Sequence, residues 1–320
     1  MESVSETKLM EGIYFDGKKA IYRDDLPVPT PGEGQSLIRV LLAAVCSTDK
    51  EILKGYRPDF KGVMGHEFVG VVENSDDESL IGKRVVGEIN ENCCHCLYCT
   101  TGRPHHCSNR HTPGLSKDGC FAQYMVLKTS LLHIVPDSLK TDVAVFTEPL
   151  AAAFEILEQI EIKPGTPVAI VGDGRLALCI ANVMHLAGAD LTVVGKHSEK
   201  LDVFKPLGNV LLHAEPESFE VVIEATGHPS GMEAAFRLVR KKGIIVLKST
   251  FAAPVTLDLS QIPVNELTIV GSRCGPFEPA LNALSSGQVV LPAIEKHELA
   301  DFESAFSSPA FKAGFEILAL

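Results

Sequence analysis

No apolar run in this 320-residue sequence approaches the roughly 18 residues a membrane span requires. The most apolar stretch, LIRVLLAAVC, is interrupted by Arg39. The amino terminus, MESVSETKLMEGIYF, is acidic and has no apolar core of the kind a secretory signal carries. Basic charge is scarce as well. Lys and Arg total 29 against 41 Asp and Glu, a formal net charge of −12, and a surface of that sign repels phosphate backbones. There is no internal repeat and no low-complexity segment. The expectation is a cytoplasmic protein with no membrane and no nucleic acid as partner.

An even cysteine count is missing too. Nine cysteines are present, five of them between Glu91 and Cys107 in ENCCHCLYCTTGRPHHC. An odd number in a chain expected to meet a reducing compartment argues against a disulfide framework and for metal-binding or catalytic thiolates.

The composition, 45% apolar and 22% charged with 26 Gly and 19 Pro, is that of a globular protein, and the length is enough for two substantial cores. To about residue 145 the chain reads as short β-like runs, among them SLIRVLLAAVC, EFVGVVE, KRVVGEI and FAQYMVLK, separated by Pro, Gly and Asp clusters. From about 146 strands alternate with helices: TPVAIVGDG, helical RLALCIANVMHLAGA, DLTVVG, FEVVIEATG, helical SGMEAAFRLVRKKG, IIVLKST and LTIVGS. That alternation predicts an α/β fold with a doubly wound parallel sheet.

VAIVGDGRLA places Gly172 and Gly174 after a β run and before a helix, with Ala177 at the third position of the motif. Glycines there let the backbone turn tightly and approach a pyrophosphate seated on the helix N-terminus. An NAD site keeps Asp or Glu about 20 residues further on, against the ribose 2′-hydroxyl. Here the second strand ends at Gly195, followed by Lys196 and His197. An absent acid and a neighbouring cation suit a 2′-phosphate, so the expected cofactor is NADP(H) rather than NAD(H); the plainer alternative is that Lys196 is a solvated loop lysine.

Cys93, Cys96, Cys99 and Cys107 have the spacing C-x2-C-x2-C-x7-C. Four thiolates at short spacings close tetrahedrally around Zn²⁺ and leave no position open, which describes a structural site that staples its own loop. Cys94 falls outside the spacing, and His95, His105 and His106 read as loop residues.

The ordered set AVCSTDKEI, MGHEFVGVVE, the four spaced cysteines, DGCFAQYMVL, TEPLAAA, VGDGRLA and VIEATG resembles the zinc-dependent medium-chain dehydrogenases, in particular their threonine, polyol and glucose dehydrogenase branch. The likeness runs nearly end to end. It implies a GroES-like catalytic domain, residues 1–145 with 274–320, around a Rossmann dinucleotide-binding domain, residues 146–273. It also implies oxidation of a secondary alcohol or polyol, or reduction of its carbonyl, two zinc ions per chain, and a homodimer or homotetramer. Position by position, Cys46 and His66 match catalytic zinc ligands, and Glu67 matches a carboxylate that ligates directly or through water. Glu148 matches the acidic residue that replaces the third-ligand cysteine of the simple alcohol dehydrogenases. Thr48 matches the hydroxyl that passes on the alcohol proton, with Ser47 beside it and Asp49 orienting the loop. Such a set leaves one coordination position for substrate oxygen.

The likeness also has departures. Glu51 stands where many relatives place a relay histidine, so either Glu51 relays the proton or protons leave by another route. Cys94 and Cys120 stand where relatives place glycine. Only ten residues separate VFKPLG from FEVVIEATG, too few for the usual crossover, so one helix is expected to be missing. Two other functions remain open on the same fold: a zinc-independent quinone or enone reductase, and a nucleotide- or redox-sensing protein that has lost turnover.

Overall fold

In the computed structural model, which describes residues 8–251 and 254–317, the chain builds two units: residues 1–148 with 293–320, and residues 149–292. The first residues of the amino-terminal stretch discussed above lie outside the described set. The second seam falls later than the 273/274 expected from sequence. The reason is local. Asn182 bonds both backbone groups of Val290, and Gly275 lies against Ala151 and Glu155, so this stretch packs with the parallel-sheet unit.

The first unit opens with β1 (Leu9–Phe15), β2 (Ala20–Pro27) and β3 (Gln35–Ala44), then the short helix α1 (Ser47–Leu53). Next come β4 (Gly62–Val63), β5 (Glu67–Ser75), β6 (Arg84–Gly87), the single turn α2 (Leu97–Thr100), β7 (Tyr124–Lys128), β8 (Leu132–Ile134) and α3 (Thr141–Ala144). The helix α4 (Thr147–Gln159) carries the chain into the second unit.

There the order is β9 (Pro167–Val171), α5 (Arg175–Leu186), β10 (Asp190–Val194), α6 (Ser198–Leu201), β11 (Asn209–Leu211), β12 (Phe219–Glu224), α7 (Pro229–Leu238), β13 (Val239–Leu247), α8 (Gln261–Asn265), β14 (Thr268–Gly271) and α9 (Phe277–Ser285). The six strands form one parallel sheet in the order β11-β10-β9-β12-β13-β14. This is the doubly wound arrangement expected from sequence, with the order reversing beside β9. PVAIV of β9 is buried almost throughout, as a strand covered on both faces must be.

Two details differ from or sharpen the sequence reading. The helix in SGMEAAFRLVRKKG stops at Leu238, and Val239–Gly243 already belongs to β13. The helical period continues through those residues, but strand pairing with β12 overrides it, with a register shift and a positive φ at Lys242. Between β11 and β12 there is no helix, as the ten-residue spacing implied.

The chain then returns to the first unit through β15 (Glu295–His297), α10 (Phe302–Ser307) and β16 (Ala313–Glu316). Its larger sheet runs β15-β16-β3-β5-β6-β8, with β7 also paired to β3, and β2-β1-β4 makes a second, three-stranded sheet. Phe15, Ile38, Met64, Phe121, Met125 and Phe315 are fully or nearly fully buried in the core they enclose. No helix among the described residues is long and apolar enough to cross a membrane.

Candidate functional site

The end of β3 is paired with the start of β5, Ala44 opposite Glu67, and this register brings residues twenty positions apart side by side. Cys46 follows β3 and starts α1; His66 and Glu67 lead β5. One ligand atom from each of Cys46, His66 and Glu67 lies within 4.8 Å of the others. Glycines make room for this corner. Gly65 has φ +89, and a Cβ on it would lie 2.3 Å from the Phe121 ring.

Asp49 underpins the cluster. It is fully buried, its Oδ2 accepts from the Cys46 amide at 2.8 Å, and its Oδ1 faces His66 Nδ1 at 3.4 Å. That last gap exceeds a normal hydrogen bond, and neither atom has another partner. Through the Cys46 amide Asp49 holds the backbone at the start of α1. Burial pushes the His66 ring toward its neutral form, but the Asp49 carboxylate and the Cys46 sulfur outweigh it and hold the pKa well above the ordinary value. A pocket that tightens its hold on a proton is one that favours a cation, and the thiol, imidazole and carboxylate donor set suits zinc.

Of the other residues expected here, Thr48 Oγ1 lies 3.6 Å from Cys46 Sγ, and Ser47 is exposed in the first turn of α1. Glu51 does not join them: its carboxylate pairs with Lys54 Nζ at 2.8 Å on the surface. Glu148 sits in the first turn of α4 and is not part of the three-residue set. Cys120 is buried, donates to the Glu67 carbonyl at 3.6 Å, and is kept a thiol by burial. Sequence reasoning missed Lys312, whose buried ammonium is ion-paired with the Glu67 carboxylate. No sequence signal could have joined two residues so far apart.

Cys93, Cys96, Cys99 and Cys107 converge as their spacing predicts. The Cys96 sulfur is 3.5 Å from Cys99 and 3.8 Å from Cys107. Four sulfurs about 2.3 Å from one zinc would be roughly 3.8 Å apart. Backbone amides aim at the sulfurs: those of Cys93 and Asn109 at Cys107, each 3.3 Å away. Amides of Cys99 and Ser108 carry the Cys96 thiol down to about 6, and that of His95 lowers Cys93. Burial and hydrogen bonds with the neighbouring sulfurs push Cys99 up to about 12. Cys94 stands apart, exposed, with φ +63 and its sulfur 3.1 Å from Asn92 Oδ1.

In the second unit Gly172 has φ +132, and a Cβ there would come within 2.9 Å of the Ala225 carbonyl oxygen. A Cβ at Gly174 would meet nothing within 4 Å, so the missing side chain leaves open space at the N-cap of α5. Ala177 is fully buried beneath it. This is the geometry a pyrophosphate cradle requires. Gly195, Lys196 and His197 follow β10, where the Lys196 ammonium bonds Ser230 Oγ at 3.1 Å and the amides of Lys196 and His197 both donate to Asp173.

Comparison with known proteins gives the same picture. Residues 32–137 match the alcohol dehydrogenase GroES-like domain, and residues 176–286 match the zinc-binding dehydrogenase domain. A sorbitol dehydrogenase of Halalkalibacterium halodurans is 30% identical over 92% of this chain and 93% of its own. A zinc-binding dehydrogenase from Sinorhizobium meliloti, solved with NADP, superposes with a TM-score of 0.89 at 25% identity, over 97% of this chain and 99% of its own. A short chain alcohol dehydrogenase from Escherichia coli CFT073, solved with NADH, gives 0.87 at 25% identity over the same shares.

Proposed function

Because the chain belongs to the zinc-dependent medium-chain dehydrogenases, we propose that it interconverts a secondary alcohol, most specifically a polyol, and its carbonyl, with a nicotinamide dinucleotide as hydride partner. The observation that carries this reading is the convergence of half-buried Cys46 with buried His66 and Glu67. A zinc ion held by these three side chains would act as a Lewis acid toward the substrate oxygen and lower the pKa of its hydroxyl.

The chain's own residues supply the rest. Asp49 holds the Cys46 backbone and its charge faces Nδ1 of His66, an arrangement that would favour Nε2 as the donor to a metal. The Thr48 hydroxyl, beside the Cys46 sulfur, is placed to take the alcohol proton at Oγ1. Glu51, paired with Lys54, is the less suitable next carrier, so the proton would leave Thr48 for solvent by another route. Cys93, Cys96, Cys99 and Cys107 would hold a second zinc that staples their loop. Glu148 is proposed as an outer carboxylate rather than a direct ligand, given its absence from the converging set.

The Gly172–Gly174 turn binds the dinucleotide in this reading. The lack of an acid at the end of β10 and the charge of Lys196 support NADP(H), while Asp173, lying against the same strand end, opposes it. The test is a panel of polyols, sugars, amino alcohols and simple alcohols run with both oxidised dinucleotides on zinc-replete protein. Turnover of one class is the expected result; none with any class would reject the reading.

A further inference from the structure

The strand end where a dinucleotide fold keeps its ribose-binding acid has no side chain in this protein, yet a carboxylate is there. A Cβ built on Gly195 would lie 2.8 Å from both Cβ and Oδ2 of Asp173. Asp173, the middle residue of the glycine-rich turn, thus fills, together with the end of the Leu201 side chain also 2.8 Å away, the volume that a side chain at 195 would occupy. Asp173 Oδ2 accepts from the amides of Lys196 at 2.8 Å and His197 at 2.9 Å, and it pairs with His197 Nδ1 at 2.9 Å. Its side chain is only 12% exposed.

These contacts bear directly on the choice of nucleotide. A 2′-phosphate at the end of β10 would look for the same donors: the two amides and the His197 ring. All three are committed to one carboxylate oxygen, and the Lys196 ammonium is bonded to Ser230. A phosphate would have to displace a like charge held by three donors. A 2′-hydroxyl meets no such conflict, because Asp173 Oδ1 takes none of these bonds and can accept its proton. Burial tends to raise the Asp173 pKa, but the two amides and His197 outweigh it and keep the group ionised.

We propose that Asp173 is the residue that selects the nucleotide: a ribose-reading carboxylate moved from the end of β10 into the glycine-rich turn, which favours NAD(H) and discriminates against the 2′-phosphate of NADP(H). The proposal rests on the dehydrogenase reading, and it reverses the preference that Lys196 and the bare strand end alone would suggest. Asp173 differs from a purely structural cap because its charge, and not only its acceptor oxygen, matters for the choice.

The experiment is equilibrium binding of NADH and NADPH, without alcohol substrate, to the zinc-replete wild type, to Asp173→Asn and to the double variant Asp173→Gly with Gly195→Asp. Asn keeps an acceptor of the same shape and removes the charge; the double variant returns the acid to the strand end once Asp173 no longer fills that space. The wild type is expected to bind NADH at least about tenfold more tightly than NADPH, Asp173→Asn to shrink that ratio by about tenfold, and the double variant to restore it. A wild type that prefers NADPH, or a ratio that Asp173→Asn leaves unchanged while both nucleotides bind, would overturn this proposal alone. Failure of the wild type to bind either nucleotide would overturn the dehydrogenase reading and this proposal with it.

Discussion

Glu67 and Lys312, 245 positions apart in the chain, form an ion pair in which both side chains are almost fully buried. The pair ties the residue that precedes β16 to the first residue of β5, and the same ammonium lies 5.8 Å above the Phe146 ring. Removing one partner of a buried pair strands the other, which costs about 3–5 kcal/mol. Lys312→Met is therefore expected to destabilise the metal-stripped protein by about 3 kcal/mol, and the zinc-loaded protein by less, because the metal would then compensate Glu67. Chemical denaturation with and without chelator checks this. An equal loss in both states would place Glu67 outside the metal site.

Asp49 and His66 give a second expectation. Asp49→Asn keeps the acceptor for the Cys46 amide but removes the charge facing His66 Nδ1. Zinc affinity at the Cys46 site should fall by about 10- to 100-fold. Competition with a chromophoric chelator reads this directly, and an unchanged affinity would reduce Asp49 to a helix-start residue.

The cysteine loop separates ligand from bystander. Cys107→Ser should lower zinc content from two ions per chain to one and destabilise the loop around α2. Cys94→Gly should leave zinc content unchanged and raise stability by about 0.5–1 kcal/mol, since Cys94 sits at φ +63 where glycine is unstrained. Elemental analysis and thermal melts of the two variants distinguish these outcomes. Loss of zinc in Cys94→Gly would make Cys94 a ligand.

Glu88 sets a pH dependence. Burial tends to raise its pKa, but bonds from His105 and His133 outweigh it and carry the carboxyl from 4.5 to about 2. A carboxylate lowered on folding contributes stability above 4.5 and loses it as the pH falls toward 2. Glu88→Gln should thus be less stable than wild type by roughly 2 kcal/mol near neutrality, after discounting for partial exposure. The gap should close between about pH 4.5 and 2. Urea titrations across that range test it, and a gap that stays constant would show that His105 and His133 do not hold the charged form.

What could be read from sequence followed the distance over which each feature is organised. The four converging cysteines lie within a short loop, so their spacing alone describes the cluster. The parallel sheet was legible because runs such as PVAIV and DLTVV alternate with helical stretches. Cys46, His66 and Glu67 are joined only by the β3–β5 register, which spacing does not reveal, and resemblance to a family carried them. Lys312 was beyond reach, since its partner lies at the other end of the chain. Asp173 was in plain view but stood at a variable position of the glycine motif, where its bonds to the end of β10 leave no mark on the pattern. The VRKKG segment was read as helix because its period continues, and strand pairing prevailed.

The most direct test of a zinc-dependent dehydrogenase is the nicotinamide absorbance produced when zinc-replete protein, NAD⁺ or NADP⁺ and a panel of polyols and secondary alcohols are mixed, with Cys46→Ser as the comparison. The expected result is reduced nucleotide formed from at least one class of alcohol by the wild type, and a loss of at least about a hundredfold in Cys46→Ser with nucleotide binding retained. No reduced nucleotide with any alcohol, or equal rates in wild type and Cys46→Ser, would contradict it.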